Sequence, residues 1–282
     1  MSARDFSWML EDIVNNVPSA RHAVLLSADG LPRGATAGMT AEGVNTISAA
    51  MAGMQSLSRA TAPFAGQGQD RQWKQTVIEF SHGWIFLVAA GQGAYLAAAA
   101  APDVDMQQIT FRMQQLVGRL GRELTSPPRT VAEEQPRRWR SPSPEDSGQQ
   151  RSSIPGLDEV VSQVPGARHA VLLAADGLPR GATRGMDPDL ADTIAAAMTG
   201  MQSLSRATAP FAGADPDRQW LQTVVEFSHG WIFLIAAGHG ACLAAAAAHD
   251  TDIEDITTRM HRLVPELGQY LSAPARETAD QT

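Results

Sequence analysis

The residues with the right type to do chemistry are few: seven histidines, one cysteine and a set of arginines. The triplet Ser81-His82-Gly83 returns as Ser228-His229-Gly230, with Glu79 and Glu226 two positions upstream of each serine. A hydroxyl, an imidazole and a carboxylate are the ingredients of nucleophilic catalysis, in which the imidazole takes the hydroxyl proton and the carboxylate orients the ring. Those groups must converge, and neighbours on a short turn point apart, so the triplet reads as a turn between strands. His22 and His169 also recur, whereas His239, His249 and His261 stand in one half only and read as surface histidines. No His-Glu-x-x-His occurs, and Cys242, alone, can neither cage zinc nor close an internal disulfide. Its counterpart is Tyr95, so it reads as a small core residue. Gly91-Gln92-Gly93 lacks the third glycine of a phosphate-binding loop and precedes a strand, which makes it a hairpin turn. The sequence therefore predicts no enzyme, no catalytic residue, no cofactor and no metal.

What must position these residues is a domain written twice. Residues 17–101 return at 164–248 without a gap, and 66 of those 85 positions are identical. The run Gly53–Gly66 reappears unchanged as Gly200–Gly213. Two such folds on one string have a high effective concentration for each other, so the duplication predicts a built-in dimer. A net charge of −8 argues against nonspecific nucleic-acid binding. The N-terminus lacks a basic segment followed by an apolar run, and residues 84–101 are broken by glycines, so no signal peptide or membrane insertion is expected and a cytoplasmic protein is.

Within one repeat, Phe6, Leu10, Ile13, Val14 and Val17 share a helical stripe that Pro18 ends. The segments around Asp29-Gly30 read as strand, turn, strand, and Pro32 and Pro179, which cannot donate to a ladder, place the second strand at a sheet edge. From Thr40 to about Ala62 the period is helical through Val44, Ile47, Met51, Met54 and Leu57, with Gly53 small enough to admit a close neighbour. Three strands follow, Trp73–Phe80, Trp84–Ala90 and Ala94–Ala100, and then a helix on Ile109, Met113, Leu116 and Leu120. Its second copy holds Pro265, where a kink or early break is expected. The fold class is α/β (α+β): a three-layer α/β/α arrangement, each repeat a five-stranded antiparallel sheet in the order α-β-β-α-β-β-β-α. The expected divisions are residues 1–125, a Pro/Ser/Arg-rich linker at 126–153, residues 154–272, and a disordered tail at 273–282. Trp139 among Arg137, Arg138 and Arg140 is either a docking motif or part of a solvated linker.

The stretch Val17 to Leu31 (VPSARHAVLLSADGL), the helical Met54 to Arg59 (MQSLSR), and Gln75 to Phe80 (QTVIEF) followed by Gly83 to Gly91 (GWIFLVAAG) resemble the roadblock/dynein light-chain family. The likeness is greatest to bacterial single-domain members encoded beside a Ras-like GTPase and a sensor-kinase-like protein, and it covers both repeats. It implies the strand order 2-1-5-4-3 and pairing through the third strand and the central helix. On this chain those carry Met51, Met54, Leu57, Trp73 and Val77, with Met198, Met201, Leu204, Trp220 and Val224. It also implies a non-enzymatic scaffold that regulates a small Ras-like GTPase. The methionine stripe itself leaves two readings open, core packing against the sheet or a helix–helix seam with a rim for a partner. Arg59 and Arg206 likewise either meet partner acids or stabilise the helix C-terminus. The competing function is a small-ligand sensory or structural adaptor module. The duplication departs from the single-domain pattern by giving two unequal faces, seen at Lys74 against Leu221, Gly43 against Leu190 and Gln92 against His239.

Overall fold

A computed structural model describes residues 6–66, 71–91, 93–123, 154–213, 218–238 and 240–271. The expected linker, the tail, Gln92 and His239 lie outside the described residues. The first repeat runs α1 (Ser7–Asn16), β1 (Ala20–Ser27), β2 (Pro32–Ala35), α2 (Ala41–Ala60), a short α3 (Ala62–Ala65), β3 (Trp73–Phe80), β4 (Gly83–Ala89), β5 (Ala94–Ala100) and α4 (Met106–Glu123). The second runs α5 (Pro155–Gln163), β6 (Ala167–Leu173), β7 (Pro179–Ala182), α6 (Pro188–Ala212), β8 (Trp220–Phe227), β9 (Gly230–Ala236), β10 (Cys242–Ala248) and α7 (Ile253–Leu271).

The two sheets join into one ten-stranded sheet, β2-β1-β5-β4-β3-β8-β9-β10-β6-β7. Every neighbouring pair is antiparallel. The proline-bearing β2 and β7 form the two outer edges, as the missing donor requires. β5, almost all alanine, is buried along its whole length. Small side chains there let helices approach both faces of the sheet.

Side chains alternate across the sheet and sort the core into three clusters. On one face α2, α3 and α6 cover a single cluster drawn from both repeats, including Ile47, Met51, Phe64, Ile194, Met198 and Phe211. On the other face α1 and α4 cover a cluster of the first repeat, and α5 and α7 cover one of the second. Cys242 is buried, which pushes its thiol up to about 12 and fits a core residue.

The repeats differ at the central helix. α2 ends at Thr61, whose N–H is shared between the carbonyls of Leu57 and Ser58 at 3.2 Å each, and α3 follows at once. α6 runs unbroken through the equivalent Pro210. α7 also continues through Pro265, against the expected break. Leu263 and Leu267 are buried on either side of that proline, and their packing holds the helix together across it.

Candidate partner interface at the repeat seam

The seam is built around a local two-fold axis. In the β3–β8 ladder Val77 pairs with Val224, its own counterpart, and Thr76 pairs with Val225 while Ile78 pairs with Thr223. The ladder is extended at each end by a turn: Ser81 N–H donates to Gln219 O and Ser228 N–H to Gln72 O, both at 2.8 Å. Above it α2 lies against α6. A Cβ on Gly53 would meet Leu204 Cδ1 at 3.1 Å, and one on Gly200 would meet Leu57 Cδ1 at 2.9 Å. Each glycine is thus the socket for the other repeat's leucine.

Further contacts cross the seam in pairs. Arg21 Nη1 donates across the seam to Ala212 O and, at 3.2 Å, to His82 O of its own repeat, and Arg168 Nη1 donates across the seam to Ala65 O. His82 Nε2 lies 3.2 Å from Ala209 O and His229 Nε2 lies 3.2 Å from Ala62 O. His22 stacks on Phe211 and His169 on Phe64, each with ring centroids 6.1 Å apart. Burial, and after it the adjacent arginine charge, hold both stacked histidines below the ordinary histidine range. Gly83 and Gly230 bring backbones together, since a Cβ on either would strike a carbonyl oxygen of its own sheet at 2.3 Å.

The model of the Roadblock/LC7 domain matches the chain twice, at residues 6–100 and 157–247. This chain belongs to the Roadblock/LC7 family. Among solved structures it is similar to the Roadblock/LC7 domain from Streptomyces avermitilis, with 34% identity over 43% of this chain and 100% of that one at a TM-score of 0.39. A second Roadblock/LC7 domain from the same organism shows 29% identity over 39% and 93%, at a TM-score of 0.32. MglB of Myxococcus xanthus shows 9% identity over 42% and 93%, at 0.35. No curated protein matches the chain.

The residues named from the sequence take different places about this seam. Met51, Met54, Met198 and Met201 are fully buried and belong to the shared core, so the core and seam readings of the stripe describe the same place. Trp73 and Trp220 are buried as well, their Nε1 donating at 3.0 Å to Thr76 and Thr223, whose hydroxyls also meet Ser58 and Ser205. Leu57 and Leu204 are half-buried in their glycine sockets. Val77 and Val224 lie apart from these, on the opposite face of the sheet beside the outer helices. The outward rim of α2 and α6 carries Ser56, Arg59, Ser203 and Arg206, with no methionine. Arg59 is in the last turn of α2, whereas Arg206 is inside the longer α6 and cannot serve a helix end there.

Sequence reasoning missed Arg21 and Arg168, and it assigned His82 and His229 to their own turns. Each of the four has an acceptor more than a hundred residues away, on the other repeat. Among the described residues no group of histidine, cysteine and carboxylate side chains could hold a metal, and no helix is long and apolar enough to cross a membrane.

Proposed function

We propose that this chain is a non-enzymatic, cytoplasmic scaffold whose paired repeats bind and modulate a small Ras-like GTPase, within a complex that includes a sensor-kinase-like protein. The observation that carries the reading is the α2–α6 seam: one polypeptide supplies both halves of a roadblock pair, with a pre-built two-helix platform. Pre-organisation of this kind lowers the entropic cost of binding. Arg59 and Arg206, both exposed on that platform, suit acidic side chains of the partner. The buried residues Met51, Met54, Met198 and Met201 support the platform from below, with Trp73 and Trp220, and Leu57 and Leu204 set its helix spacing.

The test is binding to the Ras-like GTPase encoded nearest in the source genome, loaded with GDP or a nonhydrolysable GTP analogue, with hydrolysis followed in parallel. State-dependent binding that weakens about tenfold or more in an Arg59→Glu/Arg206→Glu chain is the expected result, a loss of at least about 1.4 kcal/mol. Absence of binding in both nucleotide states overturns the proposal for that GTPase.

A further inference from the structure

The face of the sheet opposite α2 and α6 is covered on its flanks only. α1 and α4 shield one side and α5 and α7 the other. Between them Val77 and Val224 floor an open strip at the seam, both part-exposed. Glu79 faces the same way and pairs in register with Trp84, which is also part-exposed.

The two ends of this strip are unequal. Glu226 accepts from Gln75 Nε2 at 2.6 Å and has the Lys74 ammonium and the His249 ring nitrogen Nε2 each at 3.9 Å. Glu79 accepts from Gln222 Nε2 at 2.5 Å. Leu221 and Pro102 stand where the other repeat has Lys74 and His249, and no cationic side chain among the described residues pairs with Glu79. Gln222 Oε1, beside it, is buried and receives no hydrogen bond. A carboxylate and an amide oxygen without a cation form an acceptor pair suited to a guanidinium, and the valines with Trp84 offer an apolar floor for an indole.

The chain supplies such a group. α4 and α5 lie on this same face, and residues 124–153 must pass from one to the other. At the centre of that stretch, with thirteen residues on either side, is Arg137-Arg138-Trp139-Arg140. Thirteen residues extend to about 43 Å. Five strands cover about 24 Å, so each arm can bring the centre to the seam.

We propose that Arg137-Arg138-Trp139-Arg140 docks in the strip at Glu79, an arginine on the carboxylate and Trp139 against Val77, Val224 and Trp84. The docked segment ties the two repeats together on the face away from the helical platform. It also shields that face from other basic or apolar segments. This inference is independent of the GTPase proposal, which concerns the opposite face.

Limited trypsin digestion of the full chain tests it. Cleavage rates after Arg137, Arg138 and Arg140 are compared with those after Arg129 and Arg151, each normalised to a synthetic peptide of residues 124–153. Docking predicts that the central sites are slowed about tenfold relative to the flanking ones, which corresponds to about 1.4 kcal/mol. Glu79→Gln, which keeps an acceptor for Gln222, abolishes the difference, and Glu226→Gln preserves it. Equal normalised rates at all five sites in the native chain overturn the proposal. So does protection that survives Glu79→Gln, or protection that grows with protein concentration and therefore comes from a second copy.

Discussion

Arg21 shows how much of the seam rests on single side chains. Its guanidinium reaches two backbone carbonyls, Ala212 O from the end of α6 and His82 O from the turn after β3. Carbonyls at a helix end have no partner within the helix, so a charged donor from another element is the natural way to satisfy them. A hydrogen bond to a charged group contributes about 1.5–3 kcal/mol, and its loss leaves the acceptors unpaired. Arg21→Ala is expected to destabilise the protein by about that amount, and Arg168→Ala, with its one cross-seam carbonyl, by less. Urea unfolding midpoints at constant m-value check the order. A negligible effect of both substitutions would show that the seam does not depend on these contacts. Neither arginine could be singled out from the sequence. Both recur between the repeats, but so do most positions around them, and their acceptors lie 191 and 103 residues away along the chain.

At the scale of elements the sequence was far more legible, because period and punctuation are local. Pro32 and Pro179 marked the edge strands, and the Met51/Met54/Leu57 spacing marked the central helix. The family likeness then supplied the strand order that local signals cannot. At Pro265 a local rule predicted a kink or early break, and α7 continues without a break. Proline costs a helix interior about 3 kcal/mol relative to alanine. The buried Leu263 and Leu267 offset that cost through tertiary packing. Pro265 itself is exposed, so its removal takes away no core contact. Pro265→Ala is therefore expected to stabilise the protein. Part of the helix gain is lost because alanine leaves the unfolded chain freer by about 0.4–1 kcal/mol, so the net is about 2 kcal/mol. Thermal melting checks it; an unchanged or lowered Tm would mean that the proline ring makes contacts of its own.

The whole molecule is one sheet only while its two halves stay paired, and a histidine sits at each end of that pairing. His22 and His169 stack across the seam, each has a buried Nδ1 without a partner, and both are held below the ordinary histidine value of 6.5 chiefly by burial. The unfolded chain therefore takes up these two protons at a higher pH than the folded one does. Stability from this source is complete above pH 6.5 and is lost as pH falls from there through the folded values. Asp29, lowered by its hydrogen bond from Ser27, acts in the same direction, but its loss begins only below the ordinary aspartate value of 3.8, a separate window. The expected result is a fall in unfolding midpoint beginning near pH 6.5, flattened in a His22→Gln/His169→Gln chain, which stays uncharged at both positions. Because the partners share one polypeptide, the effect should not depend on protein concentration. A profile equally steep in the double variant would place the pH sensitivity outside the seam.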